Sequence, residues 1–373
     1  MKEEYQKLFE PYVLPSGVTL RNRVVVAPMT THSAFENGMV TNDELAYYAL
    51  RSWGVGAFIT ACAYVSEGGK SFDGQIGITD DKFIPGLKAM ADTIKGKGAK
   101  AILQIMHGGR MVNPKVIGGK QPVSASEVAA LRPNAVVPRA LTDEEIEQII
   151  RDFGEATRRA IAAGFDGVEI HGANTYLLQQ FFSPHSNRRN DKWGGSLKKR
   201  MTFPTAIVEA VLKSVADHAQ EPFAVGYRLS PEEVEEPGIT IPDTLQLLDK
   251  LISYPLDYIH LSIGKYFVTS LRNKEDKTEV LDTISRHVAG RIPLIGVGSV
   301  HTPEDAVKVM DKGIPLVALG RILLCEPRWV EKVEEGWEFE LHYRISADDM
   351  DKLKIPRAMA ESIQSVPGWL PFE

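Results

Sequence analysis

Eight short apolar runs alternate with eight stretches of helical spacing along this chain, and few folds accommodate that rhythm. Strand-like runs fall at 24–27, 57–65, 100–106, 167–170, 223–229, 258–263, 293–297 and 316–319. Between them, apolar residues recur at three-and-four spacing over 43–52, 83–97, 143–163, 201–219, 242–253, 280–289 and 303–312, and a last such stretch follows Pro327. Strand–helix alternation of this length predicts a parallel sheet, and the count is that of a (β/α)8 TIM barrel. Punctuation agrees. Thr142 ahead of Asp143, Glu144 and Glu145 is a helix start with negative charge at the positive end of the dipole, and Gly164 stands where that helix should stop. Thr302-Pro303-Glu304-Asp305 repeats the signal. Ahead of the first strand, Pro15-Ser16-Gly17 between short extended pieces predicts an N-terminal β-hairpin cap for the barrel floor. One long loop, Gly108 to Ala140 between the third strand and third helix, is rich in Pro, Gly and Ser. No linker or domain-scale repeat stands out, so 1–373 is expected to be one barrel domain.

Composition removes several function classes. A net charge of −6 argues against a nucleic-acid partner, because neutralising phosphate over a broad face needs excess Lys and Arg. No apolar run approaches membrane-spanning length, and the start, MKEEYQKLFEPYVLP, lacks the basic and apolar regions of a signal peptide. Cys62 and Cys325 are too few for a disulfide framework or a four-cysteine cluster. A cytoplasmic enzyme with no membrane partner is the expectation.

Barrel strands converge at their C-terminal ends, so the residues there belong to one mouth. The fourth run breaks from apolar residues into His171, Asn174 and Tyr176, polar groups that need partners where they are buried. The first run ends in Pro28-Met29-Thr30, the second reaches Ala61-Cys62, and the third carries Gln104. Arg228 lies inside the fifth, where an arginine needs an anionic partner: a ligand, or an acid such as Glu169 or Asp257. Gly298-Ser299 and Gly320-Arg321 end the last two, the usual phosphate position of such barrels, where glycine admits backbone N–H groups and arginine binds bidentately. Tight turns and a surface pair are the bland alternative. Gly69-Lys70-Ser71 is a decoy, since a phosphate-binding P-loop needs glycine where Tyr64 stands. Nothing resembles HExxH, and no metal site is expected.

APMT, LQIMHGGR, the block VEIHGANTYLLQQFFSPHSNRRNDKWGGS, GVGSV and ALGR occur in order and at barrel spacing. Together they resemble the Old Yellow Enzyme family. The resemblance implies an FMN-binding barrel in which NAD(P)H reduces the flavin, which passes hydride to the activated C=C of an α,β-unsaturated carbonyl or nitro compound. It implies flavin contacts for Pro28, Met29, Thr30, Ala61, Gln104, Arg228, Gly298, Ser299, Gly320 and Arg321. His171 and Asn174 match the pair that holds the acceptor's oxygen, and Tyr176 the proton donor to Cα. Each has a structural alternative: Gln104 satisfied by backbone, Thr30 capping a loop, Tyr176 packing under the long loop. Ser183, Asn187, Arg189, Asp191, Gly194, Gly195 and Arg200 are read as residues that fold the connection after the fourth strand.

The chain departs from the family pattern at Met106, where relatives often carry an aromatic, at Thr175 for glycine, and at Lys199 for asparagine. Its tail, SIQSVPGWLPFE, lacks the arginine with which some relatives complete a neighbour's site, so a homo-oligomer is neither required nor excluded. Three rival functions remain: quinone or oxygen reduction on the same flavin, a flavin-free phosphate-binding lyase or isomerase, and a non-catalytic flavin binder.

Overall fold

The apolar runs pair as parallel strands because each is covered on both faces and each is joined to the next through a helix. They are β1 (Val24–Val26), β2 (Ala57–Ile59), β3 (Lys100–Met106), β4 (Gly167–Gly172), β5 (Ala224–Leu229), β6 (Tyr258–Leu261), β7 (Leu294–Gly296) and β8 (Leu316–Leu319) in the computed structural model, which describes residues 1–372. Every strand pairs in parallel with its neighbour in sequence, and β8 returns to β1, closing the barrel. Around it lie α1 (Asn42–Arg51), α2 (Ile84–Lys95), α3 (Asp143–Ala162), α4 (Thr202–His218), α5 (Ile241–Ile252), α6 (Val280–Val288), α7 (Pro303–Met310) and α8 (Trp329–Glu335). Among the described residues no helix is long and apolar enough to cross a membrane.

Local chemistry sets the boundaries. Thr142 and Glu145 form a reciprocal capping box on α3, and Thr240 with Asp243 and Thr302 with Asp305 do the same on α5 and α7. Gly164, at φ 82°, turns the chain out of α3 and into β4. The second apolar run is not one strand. It divides into β2 and a two-residue piece, Ala63–Tyr64, on the far end of β3. The break falls at Thr60–Cys62, where side chains take over from the ladder. The Gln104 N–H donates to Thr60 Oγ1 (3.3 Å), and the Ala61 N–H donates to the Tyr48 hydroxyl (3.0 Å).

The barrel floor is apolar. The hairpin Tyr12–Val13/Thr19–Leu20 inserts Leu14, Val18 and Leu20 among Val25, Ala57, Ile59, Ile102, Tyr258, Ile295 and Leu316. Asp257 fastens it, accepting from Ser16 N–H (2.8 Å) with one oxygen and from Val225 N–H (2.7 Å) with the other. Asp257 therefore serves the floor and is no partner for Arg228. Behind the barrel wall, Arg51 is fully buried on the Tyr47 ring (4.2 Å) and donates to the carbonyls of Leu323 (3.1 Å) and Leu353 (2.7 Å), tying α1 to the C-terminal segment.

Glu44, in the first turn of α1, is also fully buried. Oε1 accepts from Thr31 Oγ1 (2.7 Å), while Oε2 has no partner. Burial pushes its carboxyl up to about 7. A carboxyl whose pKa is higher in the folded state stabilises the fold while protonated, and that contribution is lost as pH rises from about 4.5 through about 7. Glu44→Gln, uncharged at every pH, should match the parent at pH ~5 and exceed it at pH ~8 by up to about 3 kcal/mol in urea unfolding. A difference independent of pH would refute the assignment.

Candidate active site

The strand register brings the polar residues of β3 to β6 into two adjacent rows of the barrel interior. Arg228 on β5 pairs with His171 on β4 and with His260 on β6, while Gln104 on β3 pairs with Glu169 on β4. Glu169 is fully buried; Oε1 accepts from Gln104 Nε2 (2.7 Å) and Oε2 lies 2.9 Å from His260 Nδ1. Arg228 is buried with its Nε unpartnered. Burial pulls its guanidinium down from the usual range, and the Glu169 carboxylate opposes that pull.

Beside Arg228 opens a cavity of about 480 Å³, within the range of small-molecule and cofactor sites. Pro28, Met29, Gly298, Ser299, Gly320 and Arg321 line it with Lys265, His301 and Trp369. One corner is built from turn backbone. Gly298 sits at φ 121°, and a Cβ there would lie 2.7 Å from the Lys265 carbonyl carbon. Ser299 follows at φ 51°, donating to the Gly264 carbonyl (2.8 Å) and accepting from Arg321 (2.6 Å). The same guanidinium donates to the Trp369 carbonyl (2.9 Å), so the chain's own C-terminal segment forms one wall. Thr30 does not line this cavity. It faces an adjoining cleft of about 320 Å³ shared with Pro28, Met29, Met359 and Trp369. Ala61 is buried at the break after β2.

His171, Asn174 and Tyr176 stand at the end of β4. His171 is buried, and its Nδ1 accepts from the Ala173 N–H (3.3 Å), which assigns the ring proton to Nε2. Burial drives the imidazole pKa well below its usual value, with the positive charge of Arg228 adding to the effect, so the ring is a neutral donor. Asn174 and Thr175 both adopt positive φ, 55° and 65°. For a β-branched residue that conformation is costly and persists only where neighbours enforce it. They do: Thr175 N–H donates to Gln179 Oε1 (2.9 Å) and its carbonyl accepts from Gln180 (2.7 Å). Asn174 Oδ1 accepts from the Ser262 hydroxyl (2.7 Å), which turns the amide NH₂ away from it as a free donor. Tyr176 packs edge-to-face on His171, ring centroids 5.0 Å apart, and burial raises its phenol above the ordinary value.

The remaining residues of the block hold loops. Gln180 accepts from Arg110 N–H and Ser124 on the long loop, and Gln179 donates to Glu233 on the connection after β5. Ser183 also bonds Glu233, Asn187 donates to the Phe181 and Trp193 carbonyls, Arg189 to those of Ala125 and Leu141, and Arg200 to those of Phe182 and Gly195. Sequence reasoning gave no role to Ser262, Gln179, Gln180, His260 and Trp369. Two adjacent glutamines in the otherwise apolar helix Leu177–Phe182 were a signal, as was the place of Ser262 at a strand end; Trp369 carried none.

Comparisons with known proteins identify the family. The family described as NADH:flavin oxidoreductase / NADH oxidase matches residues 7–340. A probable NADH-dependent flavin oxidoreductase of Bacillus subtilis is 46% identical over 373 residues, covering both chains completely. The NADH:acrylate oxidoreductase of Vibrio harveyi is 50% identical over 329 residues, 87% of this chain but 33% of that longer protein. Among solved structures, an Old Yellow Enzyme homologue from Zymomonas mobilis superposes with TM-score 0.77 at 26% identity, covering 88% of this chain and 92% of the other. Morphinone reductase gives 0.75 at 26%, covering 88% and 89%. The chain belongs to the NADH:flavin oxidoreductase / NADH oxidase family, whose solved members include the Old Yellow Enzymes.

Proposed function

We propose that this protein is an FMN-dependent ene-reductase: NADH supplies hydride, and the acceptor is the activated C=C of a small α,β-unsaturated carbonyl or nitro compound. The observation that carries the reading is the pair of fixed donors, His171 Nε2–H and the Asn174 amide, on the strand end next to Arg228. The residues present fit FMN. A buried guanidinium with an unpartnered Nε suits the edge of an electron-rich ring, and the Gly298–Ser299–Arg321 corner suits a terminal phosphate. NADH is favoured as reductant because relatives at 44–50% identity, from Bacillus, Vibrio and Klebsiella, are named for it. This chain spans about a third of the acrylate and fumarate oxidoreductases, so their substrates are not carried over.

FMN, when bound, supplies a two-electron reservoir that takes hydride from nicotinamide and gives it up at Cβ of the acceptor. The rest falls to side chains. His171 and Asn174 donate to the acceptor's oxygen, and their bonds strengthen as enolate charge builds there. Because both are oriented beforehand, by the Ala173 N–H and the Ser262 hydroxyl, little reorganisation is needed when the charge arrives. Tyr176 holds its proton firmly, since burial has raised its pKa; it releases it only to a strong base such as the carbanion at Cα. Arg228 stabilises negative charge beside the cavity.

Tyr176→Phe should leave flavin reduction by NADH intact and slow flavin reoxidation by an enone about 100-fold or more, read by stopped-flow absorbance of each half-reaction. Equal loss in both halves would sink the assigned role. For His171→Ala, the affinity for a phenolate ligand over the flavin should fall roughly 10- to 100-fold, the size of one charge-assisted hydrogen bond; unchanged titrations would contradict it. Ser262→Ala, which frees the Asn174 amide to rotate, should weaken the same ligand by several-fold, on the order of one neutral hydrogen bond, while FMN affinity stays constant. Loss of FMN instead would assign Ser262 to the cofactor.

A further inference from the structure

One group at the centre of the barrel has no part in the scheme above. His260 is fully buried on β6, with Nδ1 2.9 Å from Glu169 Oε2 and Nε2 without a partner among the described residues. A buried imidazole ordinarily spends both nitrogens. Here the carboxylate accepts a hydrogen bond from Nδ1–H, which leaves Nε2 as a bare basic lone pair inside the barrel. Its strand neighbour in register is Arg228, whose own Nε is also unpartnered and whose side chain lines the cavity.

We infer that the His260–Glu169 pair takes up a solvent proton when the flavin is reduced and releases it on reoxidation, so that the barrel interior stays electrically balanced through the cycle. The inference rests on the flavin chemistry proposed above.

The charge inventory motivates it. The groups facing His260 from the surrounding strands are Glu169 and His171 on β4, Arg228 on β5, Gln104 on β3 and Tyr258 on its own strand, with apolar Ile295 opposite on β7. Cys62 and Tyr176 add their fields near Arg228. Burial keeps His171 and His260 neutral, and raises the Cys62 thiol to about 12 and the phenols of Tyr176 and Tyr258 above their usual values. Glu169 is held below the usual carboxylate range: burial raises its pKa, but the His260 ring, through its charge when protonated and through its hydrogen bond, together with the Arg228 charge and the Gln104 hydrogen bond, more than offsets this. The layer thus holds one positive and one negative charge, Arg228 and Glu169, and is neutral.

A hydride brings two electrons and one proton, a net charge of −1, while NAD⁺ departs. With FMN held in the cavity that Arg228 lines, that charge would arise in a medium that screens it poorly. Arg228 is already compensated by Glu169, so the added charge is left uncompensated unless a cation forms nearby. His260 Nε2 is an unpartnered base on the strand beside Arg228, in register with it. Protonation there places an imidazolium between Glu169 and Arg228 only while the extra negative charge is present. When hydride leaves for Cβ the charge leaves with it, and the imidazolium, with Glu169 shared between it and Arg228, returns its proton to solvent.

His260→Asn separates titration from structure, because an asparagine amide can keep the bond to Glu169 but cannot be protonated. Holoenzyme reconstituted with FMN is reduced anaerobically by NADH in weak buffer between pH ~6 and ~8, and proton uptake is read with an indicator dye. The wild type should take up close to one proton more per flavin than the variant, largest between the two pKa values of His260, and its flavin potential should depend more steeply on pH. Equal uptake and equal slopes would overturn the inference while leaving the flavin reading intact. A wild-type holoenzyme that NADH fails to reduce would overturn the flavin reading itself, and this inference with it. Should the variant not retain FMN, redox-difference infrared spectra of wild-type holoenzyme with ring-labelled histidine decide. An imidazolium band appearing on reduction supports the pair, and its absence refutes it.

Discussion

The organising constraint of this barrel is a buried positive charge that cannot be moved to solvent. Arg228 points inward from the fifth strand with Nε unpartnered, and the interior around it is built to tolerate that. Glu169 supplies the opposite charge from the neighbouring strand and is itself held by Gln104 and His260. An isolated guanidinium in low dielectric would cost several kcal/mol, so the Glu169 network is what makes the arrangement tolerable. Below this level the floor is apolar and sealed by the hairpin; above it the strand ends open into loops. Division into an apolar floor, a charged middle and a polar mouth follows from the two-residue repeat of the strands, because every second side chain reaches the interior.

At the mouth, precision comes from side chains that never need to touch a substrate. Ser262 fixes which end of the Asn174 amide is available, and the Ala173 N–H fixes which nitrogen of His171 carries the proton. Gln179 and Gln180 hold Thr175 in a backbone conformation that it would not adopt alone and clamp two loops to the same short helix. In the proposed mechanism, donors placed by such supports would keep their geometry as charge develops, which is where electrostatic catalysis gains its advantage over water.

Much of this was legible beforehand. The strand–helix rhythm predicted the barrel because hydrophobic periodicity is a local property: apolar residues at spacing two or three-and-four report which face is buried whatever the fold. Helix ends were equally readable, since Thr142, Thr302 and Gly164 act through bonds to residues three or four positions away. The second strand was read too long because its break at Thr60–Cys62 is enforced by Tyr48 and Gln104, 13 and 44 residues from the atoms they bond. Asp257 was weighed as a partner for Arg228, yet it lies at the other end of the barrel, holding the hairpin.

By itself, then, the chain's sequence determined the fold class, the strand ends that meet at the mouth, and the kinds of hydrogen-bonding group available there. All of these depend on residue type and short-range spacing. The tertiary structure alone decided which groups touch. It spent Glu169 on His260 and Gln104, left Nε2 of His260 and Nε of Arg228 without partners, and set Ser262 against Asn174, 88 residues away. Those pairings depend on barrel closure and strand register, which juxtapose residues far apart in the chain and leave no local trace in the sequence.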